Sequence, residues 1–392
     1  MRVLRYWGSH FKSHRQVGLF IDQFRPMVQR GWECHLVLER EPDDSDWLAE
    51  MKALGVGIHL EPRPSHKLNL SCISRVARLC CGLRPEVFVC ENIHNSPLIG
   101  AALARVPVRV WIKHSMNSSF ELGSRPSLKN RLALTVRVSC ALASRVFAVS
   151  SAVRDELVGL GLSAEKILIR PNPRLLGKPS IAKKEDVRGS LGLSDTDIVW
   201  TSVGHAVPVK GWDMLLRAFH RVEQADARTK LLLVGGLDRP EERETAALLR
   251  SEIKRLGLEG KVRLTGDFED VASLLRASDA FVMPSHSEGF SVALIEALEA
   301  GLPCLATRVG IATDVIQEGF NGMLVERFDE QAMAAALLEM TCNDSLRASL
   351  ASNAWVPEII PTLEQYAERL SDDCAALVNG KVVVGLALPQ SS

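Results

Sequence analysis

Neither a membrane-spanning nor an exported protein is expected from what this sequence has little of. No stretch of its 392 residues approaches the roughly 18 consecutive apolar residues that cross a bilayer, and the start MRVLRYWGSH enters a strand pattern without the layout of a signal peptide. With 46% hydrophobic and 24% charged residues, the composition is that of a soluble globular protein, so a cytoplasmic location is expected. No C-x-x-C pair occurs among the nine cysteines, Cys34, Cys72, Cys80, Cys81, Cys90, Cys140, Cys304, Cys342 and Cys374. Most lie in apolar runs where a reduced thiol packs as a small hydrophobe, and neither a disulfide nor a zinc site is expected. There is no internal repeat, no low-complexity tract and no net charge; a nucleic-acid partner is not expected.

The zero charge hides an asymmetry. Residues 1–171 hold 24 Lys+Arg against 15 Asp+Glu, and since the whole chain carries 47 of each, the remainder is acidic by the same margin. At this length two domains are expected rather than one core. Strand-like runs alternate with helical ones throughout, the pattern of parallel sheets built from βαβ units. In the first half the strands are expected at 3–7, 34–39, 87–90, 108–112 and 146–149. The loop GSHFKSHRQV (8–17) follows the first strand and therefore lies at the carboxyl edge of the sheet, where ligands bind in open α/β folds. It is not G-x-G-x-x-G, which weakens any nicotinamide-enzyme reading. A proline-rich loop RPNPRLLGKPS (170–180) reads as a hinge, and a second series of strands follows at 198–203, 230–234, 262–265, 280–283, 303–307 and 322–325. A last long helix is expected over 362–378 after Pro357 and Pro361, with a frayed tail beyond it.

The segment SHSEGFSVALIEALEAGLP (285–303) carries the most chemical information. Glu288 sits in a glycine-containing turn, and helical apolar spacing begins at Ser291, with Leu294, Ile295 and Leu298 on one stripe; Gly301 and Pro303 stop that helix. Glu296 falls in its second turn. At ~1.5 Å rise per residue the two acids lie within about 12 Å, close enough to line one cleft facing the positive end of the helix. Such a cleft suits an anion that carries hydroxyls, although two glutamates alone are more often a solvated surface. The stretch TSVGHAVPVKGWDMLLRAF adds a strand ending at Val203, a turn at Gly204, and Lys210 and Gly211 before a helix. A lysine there reaches phosphate oxygens while helix amides face the same anion, as a nucleoside diphosphate requires.

Together these motifs resemble the retaining family-4 glycosyltransferases (glycosyl transferases group 1) with the GT-B fold, two Rossmann-like domains facing across a cleft. The likeness rests on the Glu-x7-Glu signature with its FVMPS entry and Ala-Gly-Leu-Pro exit, and on the Lys-Gly motif at 210–211. It spans nearly the whole chain and is most specific over 198–326. The resemblance implies an acceptor domain at 1–171, completed by a helix at about 357–378, a donor domain at 172–356 and a tail at 379–392. It implies that Lys210 binds the donor diphosphate, that Glu288 contacts donor sugar hydroxyls, that the amides of Gly289, Phe290 and Ser291 touch sugar and phosphate, and that Glu296 holds the ribose. It further implies that the backbone around Gly266 and Phe268 reads the base and that Asn172 lies beside the cleft. His114, at a strand end in RVWIKHSMNSS, matches the family histidine near the anomeric carbon. Weaker expectations place His10, His14, Arg15 and His94 at the acceptor.

Two positions depart from the family pattern. His205 stands beside Gly204 where an arginine is usual, so the turn offers no bidentate fork and becomes pH-sensitive. Ile311 follows Gly310 where a second glycine is common, which is expected to reshape the phosphate end. No Asp-x-Asp stands beside a strand end in a way that suggests a divalent site, and no cofactor or metal is expected. The resulting expectation is a metal-independent, retaining transferase that moves a sugar from a nucleotide-diphosphate donor to a glycan or lipid-linked acceptor, in polysaccharide or lipopolysaccharide synthesis. The alternative is a catalytically impaired nucleotide-sugar binder; a two-lobed solute-binding protein or a GT-B epimerase are remoter. The segment SRPSLKNRLALTVRVSCA (124–141) brings Arg125, Lys129, Arg131 and Arg137 beside Leu128, Leu132, Val136 and Val138. It reads either as a helix that docks on anionic membrane or as an ordinary surface helix.

Overall fold

A computed structural model describes residues 1–7, 14–41, 45–62, 68–91, 95–116, 126–174 and 182–386, with the side chains of 14–19, 45 and 126–133 outside the description. The chain divides into two compact units, Met1–Pro173 with Ile359–Ser392, and Arg174–Glu358.

The first unit runs β1 (Arg2–Tyr6), α1 (His14–Gln29), β2 (Glu33–Leu38), α2 (Ser45–Ala53), β3 (Gly57–Leu60), α3 (Leu70–Leu83), β4 (Val87–Cys90), α4 (Asn95–Leu103), β5 (Val108–Lys113), α5 (Pro126–Leu142), β6 (Arg145–Ala148), α6 (Ser151–Gly159) and β7 (Ile167–Ile169). The second runs α7 (Lys184–Ser190), β8 (Ile198–Val203), α8 (Trp212–Ala225), β9 (Thr229–Val234), α9 (Pro240–Arg255), β10 (Val262–Gly266), α10 (Val271–Ala277), β11 (Ala280–Met283), α11 (Val292–Glu299), β12 (Cys304–Thr307), α12 (Ala312–Val315), β13 (Gly322–Val325), α13 (Glu330–Cys342) and α14 (Asp344–Ser352). The chain then returns to the first unit as α15 (Leu363–Val378).

All pairings are parallel, in the orders β3-β2-β1-β4-β5-β6-β7 and β10-β9-β8-β11-β12-β13. In each sheet the order reverses beside the first strand, between β1 and β4 and between β8 and β11, and the carboxyl ends flanking such a reversal are where doubly wound sheets bind ligands. The strands read as continuous apolar runs because helices cover both faces. Along β9, Leu231 and Leu233 join the cluster of Trp200, Trp212, Phe219 and Leu337, while Leu232 and Val234 face Val187, Val199 and Leu274 on the other side. The period of two thus splits one strand between two cores.

Two strands were invisible to the apolar-run reading. β3, GIHL, is an edge strand whose residues are half-buried or exposed, so it carries no apolar run; its ladder to β2 is decided by backbone pairing, His35 opposite Gly57. β7 has only three residues. The unit boundary falls after Pro173 because Arg170 continues the ladder, its N–H donating to Ala148 O at 2.8 Å. The tail expected to fray is instead packed in part: Val383 is buried and Arg170 Nη2 donates to Val384 O at 2.8 Å. Residues 387–392 lie outside the described residues. Among the described residues no helix is long and apolar enough to cross a membrane.

The helix α15 opens on a capping box, Thr362 and Gln365 exchanging hydrogen bonds, and it is fastened by one buried ion pair. Arg170 Nε and Nη2 meet the two Asp373 oxygens at 2.7 and 3.0 Å, with both residues nearly out of water. Removing one charge strands the other in the interior. Asp373→Asn is therefore expected to destabilise the first unit by about 3–5 kcal/mol, read by thermal denaturation, whereas Asp372→Asn, at a partner of Arg30 that is 70% exposed, changes the transition little. Equal effects of the two variants would remove this pair as the fastener.

Candidate functional site

The crest of the second sheet gathers its loops around the reversal between β8 and β11. β8 ends at Val203, and Gly204 N donates to Val234 O at 2.8 Å, which carries the chain across the top of β9. A short 3-10 turn, Pro208–Lys210, then leads into α8 through Gly211. At Gly211 φ is +65°, and a Cβ there would stand 2.2 Å from Pro284 O; only glycine lets the two loop backbones approach so closely. The approach is fastened by His286 N donating to Val209 O at 2.8 Å. The stem of Lys210 lies on Gly204, whose own Cβ would meet Lys210 Cε at 3.2 Å.

After β11 the buried residues Ser285, His286 and Ser287 lead to Glu288. Thr307 Oγ1 donates to Ser285 O at 2.5 Å, Ser285 Oγ donates to Glu288 Oε1 at 3.0 Å, and Lys210 Nζ reaches the same oxygen at 2.5 Å. The lysine and glutamate side chains are 22% and 13% exposed, so the pair is largely shielded. Gly289 is buried and Phe290 half-buried. Ser291 caps α11, its Oγ accepting from Leu294 N at 3.3 Å, and Glu296 lies half-buried one turn further on, between the core residues Ile295 and Ala297. Lys210, Glu288, Ser291 and Glu296 thus belong to the crest or to the helix that rises from it.

At the departure, Ile311, the chain needs no second glycine for its backbone. The Ile311 backbone is ordinary, φ −70° and ψ −15°, and its side chain is fully buried. The left-handed conformation sits at Gly310, φ +55°, where a Cβ would come within 2.7 Å of Glu288 O. The loop therefore needs one glycine to press against the Glu288–Gly289 turn, and position 311 supplies core.

His205 stands on the Gly204 turn, with Nδ1 at 3.1 Å from Oε1 of Glu242, a buried residue of α9 that the sequence reading did not single out. Loss of water around the ring, with Arg239 and Lys210 nearby, holds the imidazole below its ordinary value against the pull of Glu242 and Asp267. Gly266 ends β10, and its carbonyl accepts from Gly235 N at 2.9 Å. The Phe268 ring packs against the cluster of Val187, Leu232 and Leu274, leaving the backbone of 266–268 at the strand end. Asn172 falls in the first unit.

In the first unit a second charged group surrounds the reversal of that sheet. Arg5 on β1 pairs with Glu91 at the end of β4, and His114 Nε2 at the end of β5 lies 3.3 Å from the other Glu91 oxygen. Burial works against the Glu91 charge, but Arg5 and His114 outweigh it and hold the carboxyl at about 2. The Arg5 guanidinium lies over the Phe20 ring at 4.5 Å, and Trp7 meets the His114 ring edge to face at 6.2 Å. Arg5 and Glu91 were missed from sequence because a charged residue inside an apolar strand carries no local signal of its partner. His10 and His94 lie outside the described residues, as do the side chains of His14 and Arg15, whose backbones open α1. Arg125 and the side chains of Leu128, Lys129, Arg131 and Leu132 also lie outside them. In the remainder of α5, Val136 is buried and Arg137 Nε donates to Leu160 O at 2.9 Å.

Both units match known protein domains. Residues 183–355 match the family of Glycosyl transferases group 1, and residues 22–173 the Glycosyl transferase 4-like domain. A D-inositol 3-phosphate glycosyltransferase of Actinosynnema mirum is 32% identical over 222 residues, 54% of this chain and 52% of that protein. The N-acetyl-alpha-D-glucosaminyl L-malate synthase of Bacillus anthracis is 30% identical over 237 residues, 59% of this chain and 58% of that protein. The chain spans about half the length of these curated relatives. Among solved structures, HepE of Anabaena in complex with UDP superposes with a TM-score of 0.75 at 21% identity, covering 96% of this chain and 100% of that one, a likeness of fold. It confirms two Rossmann-like halves of the GT-B type.

Glycine replacements test the crest in opposite directions. Gly211→Ala forces a Cβ against Pro284 O at positive φ and is expected to cost about 1–3 kcal/mol. Gly189→Ala, inside α7 with nothing within 4 Å of the new Cβ, is expected to stabilise by up to ~1 kcal/mol. Thermal unfolding of the two variants measures both signs, and a neutral Gly211→Ala would show that the loop approach is not enforced there.

Proposed function

The chain belongs to the group 1 glycosyl transferases with a 4-like first domain, and from that premise we propose that it moves a sugar, with retention of anomeric configuration, from a nucleotide-diphosphate donor to a hydroxyl of a glycan or lipid-linked acceptor in cell-surface polysaccharide or lipopolysaccharide synthesis. The observation that carries the reading is the meeting of Lys210 and Glu288 at the strand reversal of the second sheet. It puts a cation for phosphate oxygens and a carboxylate for sugar hydroxyls within one hydrogen bond of each other, as a sugar diphosphate presents them.

In this proposal Lys210 and the amides of Gly289, Phe290 and Ser291 stabilise the departing diphosphate electrostatically, so the charge develops against groups already in place. The N-terminus of α11, capped by Ser291, would offer its unbonded N–H groups to the same anion. Glu288 orients the donor sugar through its hydroxyls, and Glu296 holds the ribose. The family resemblance implies a role at the anomeric centre for His114, whose ring lies beside Glu91 and Trp7. Attack by the acceptor on the face the diphosphate leaves, with a donor phosphate oxygen taking the acceptor proton, accounts for retention without a protein nucleophile. No metal is assigned a step: Lys210 and the helix amides supply the positive charge. The basic excess of residues 1–171 supports an anionic acceptor and peripheral contact with an anionic membrane surface at its cytoplasmic face.

Calorimetry and thermal shift with a panel of UDP-glucose, GDP-mannose, ADP-glucose and dTDP-glucose test the donor reading, since a ligand at 100 times its Kd adds about 2.7 kcal/mol of stability. Lys210→Ala is expected to lose ~10²–10³ in transfer rate with the fold intact, and Glu296→Gln mainly to weaken nucleotide binding and raise KM. Transfer by Lys210→Ala within a few-fold of the parent would remove the lysine from the mechanism, and undiminished binding of free nucleoside diphosphate by Glu296→Gln would remove the ribose assignment.

A further inference from the structure

Beside the turn that carries His205, the loop after β9 contains a glycine whose missing side chain makes room for a charge. A Cβ at Gly236 would fall 2.6 Å from both Glu242 oxygens and 2.8 Å from His205 Nδ1. Glu242 is the third residue of α9. Its Oε2 accepts the Arg239 backbone N–H at 3.1 Å, satisfying one free donor at the start of α9, and that duty needs only one oxygen. The other faces His205 Nδ1 at 3.1 Å, with the Arg239 guanidinium at 3.7 Å. Glu242 is 2% exposed and the His205 side chain 48% exposed, so a buried anion backs a half-exposed ring.

An imidazole nitrogen so close to a carboxylate oxygen carries a proton, because a lone pair there would face an anion. In the neutral ring Nε2, on the opposite edge, is then an acceptor. The charged groups around the ring are Glu242 and Arg239 from the start of α9, Lys210 from the 3-10 turn and Asp267 from the loop after β10. A diphosphate diester presents only acceptor oxygens, which an unprotonated Nε2 repels. Its charge also offsets the two cations that disfavour the imidazolium.

We propose that Glu242 is a positioning residue that fixes His205 with its proton on Nδ1, so that Nε2 takes up a proton when a diphosphate binds and donor binding here is proton-linked. The inference rests on the reading of the second unit as a donor site. The sign follows from the direction of the shift: the free ring lies below its ordinary value, and a bound dianion raises it. Between those two values binding takes up a proton, and affinity falls as pH rises through the window. An arginine at this position would bind the same anion with no such dependence.

The test is calorimetry of the same nucleotide-sugar panel, whose diphosphate diesters do not titrate near neutrality, at pH 5.5–8.5 in buffers of different ionisation enthalpy. The parent is expected to take up a fraction of a proton approaching one, with Kd weakening by up to about tenfold per pH unit. His205→Arg is expected to abolish the uptake and flatten the profile. Glu242→Gln keeps an acceptor for the Arg239 N–H but removes the charge, and is expected to move the window to lower pH and reduce uptake at pH 7 with the melting temperature nearly unchanged. Binding by the parent without proton uptake, or uptake that persists in His205→Arg, overturns the linkage and leaves the donor site standing. An unshifted window in Glu242→Gln overturns the role of the glutamate. Failure of every panel member to bind overturns the donor-site reading and this inference with it.

Discussion

Lys210 and Glu288 come from loops 78 residues apart, and they meet because β8 and β11 are hydrogen-bonded neighbours at the reversal of a doubly wound sheet. Neither charge is well solvated, so each stabilises the other against the cost of leaving water. The contact also depends on two backbone approaches that side chains would prevent, Gly211 on Pro284 and Gly310 on Glu288. Ser285 and Thr307 complete the support, relaying hydrogen bonds from β12 to the glutamate. A constellation assembled this way holds its geometry through strand pairing, and its chemistry can be varied by changing loop residues without disturbing the core.

The first unit solves a related problem with deeper burial. Arg5 lies inside a strand among aromatic rings, where an unpaired guanidinium would be costly, and Glu91 at the end of the adjacent strand neutralises it. The remaining Glu91 oxygen lies toward His114, so one carboxylate both pairs with a buried cation and faces an imidazole at the sheet's crest. Because the folded carboxyl titrates at about 2, below its usual range near 4.3, the stabilisation it lends is present above that range and is lost as pH falls through about 2.

The two departures from the family pattern differ in kind. Ile311 is a core residue in ordinary backbone conformation, and the loop it belongs to keeps its glycine where positive φ is needed. His205 replaces a permanently charged fork by a titrating ring, and Glu242 behind it makes the exchange chemically coherent.

The amino-acid sequence by itself determined the α/β class, the two-domain organisation expected from length, most strands, and the places of Lys210 and Glu288 in turns and of Glu296 on a helix, because period, turn glycines and helix caps are local properties of the chain. It left β3 and β7 unread, since an edge strand and a three-residue strand bury too little to form an apolar run. Glu242, Glu91 and Arg5 were equally silent: each is an isolated charge whose meaning lies in a partner 37, 23 or 86 positions away. Only the tertiary structure decided those partnerships, because strand order and the crossing of loop backbones bring the groups together, and no local rule of spacing encodes which strand lies beside which.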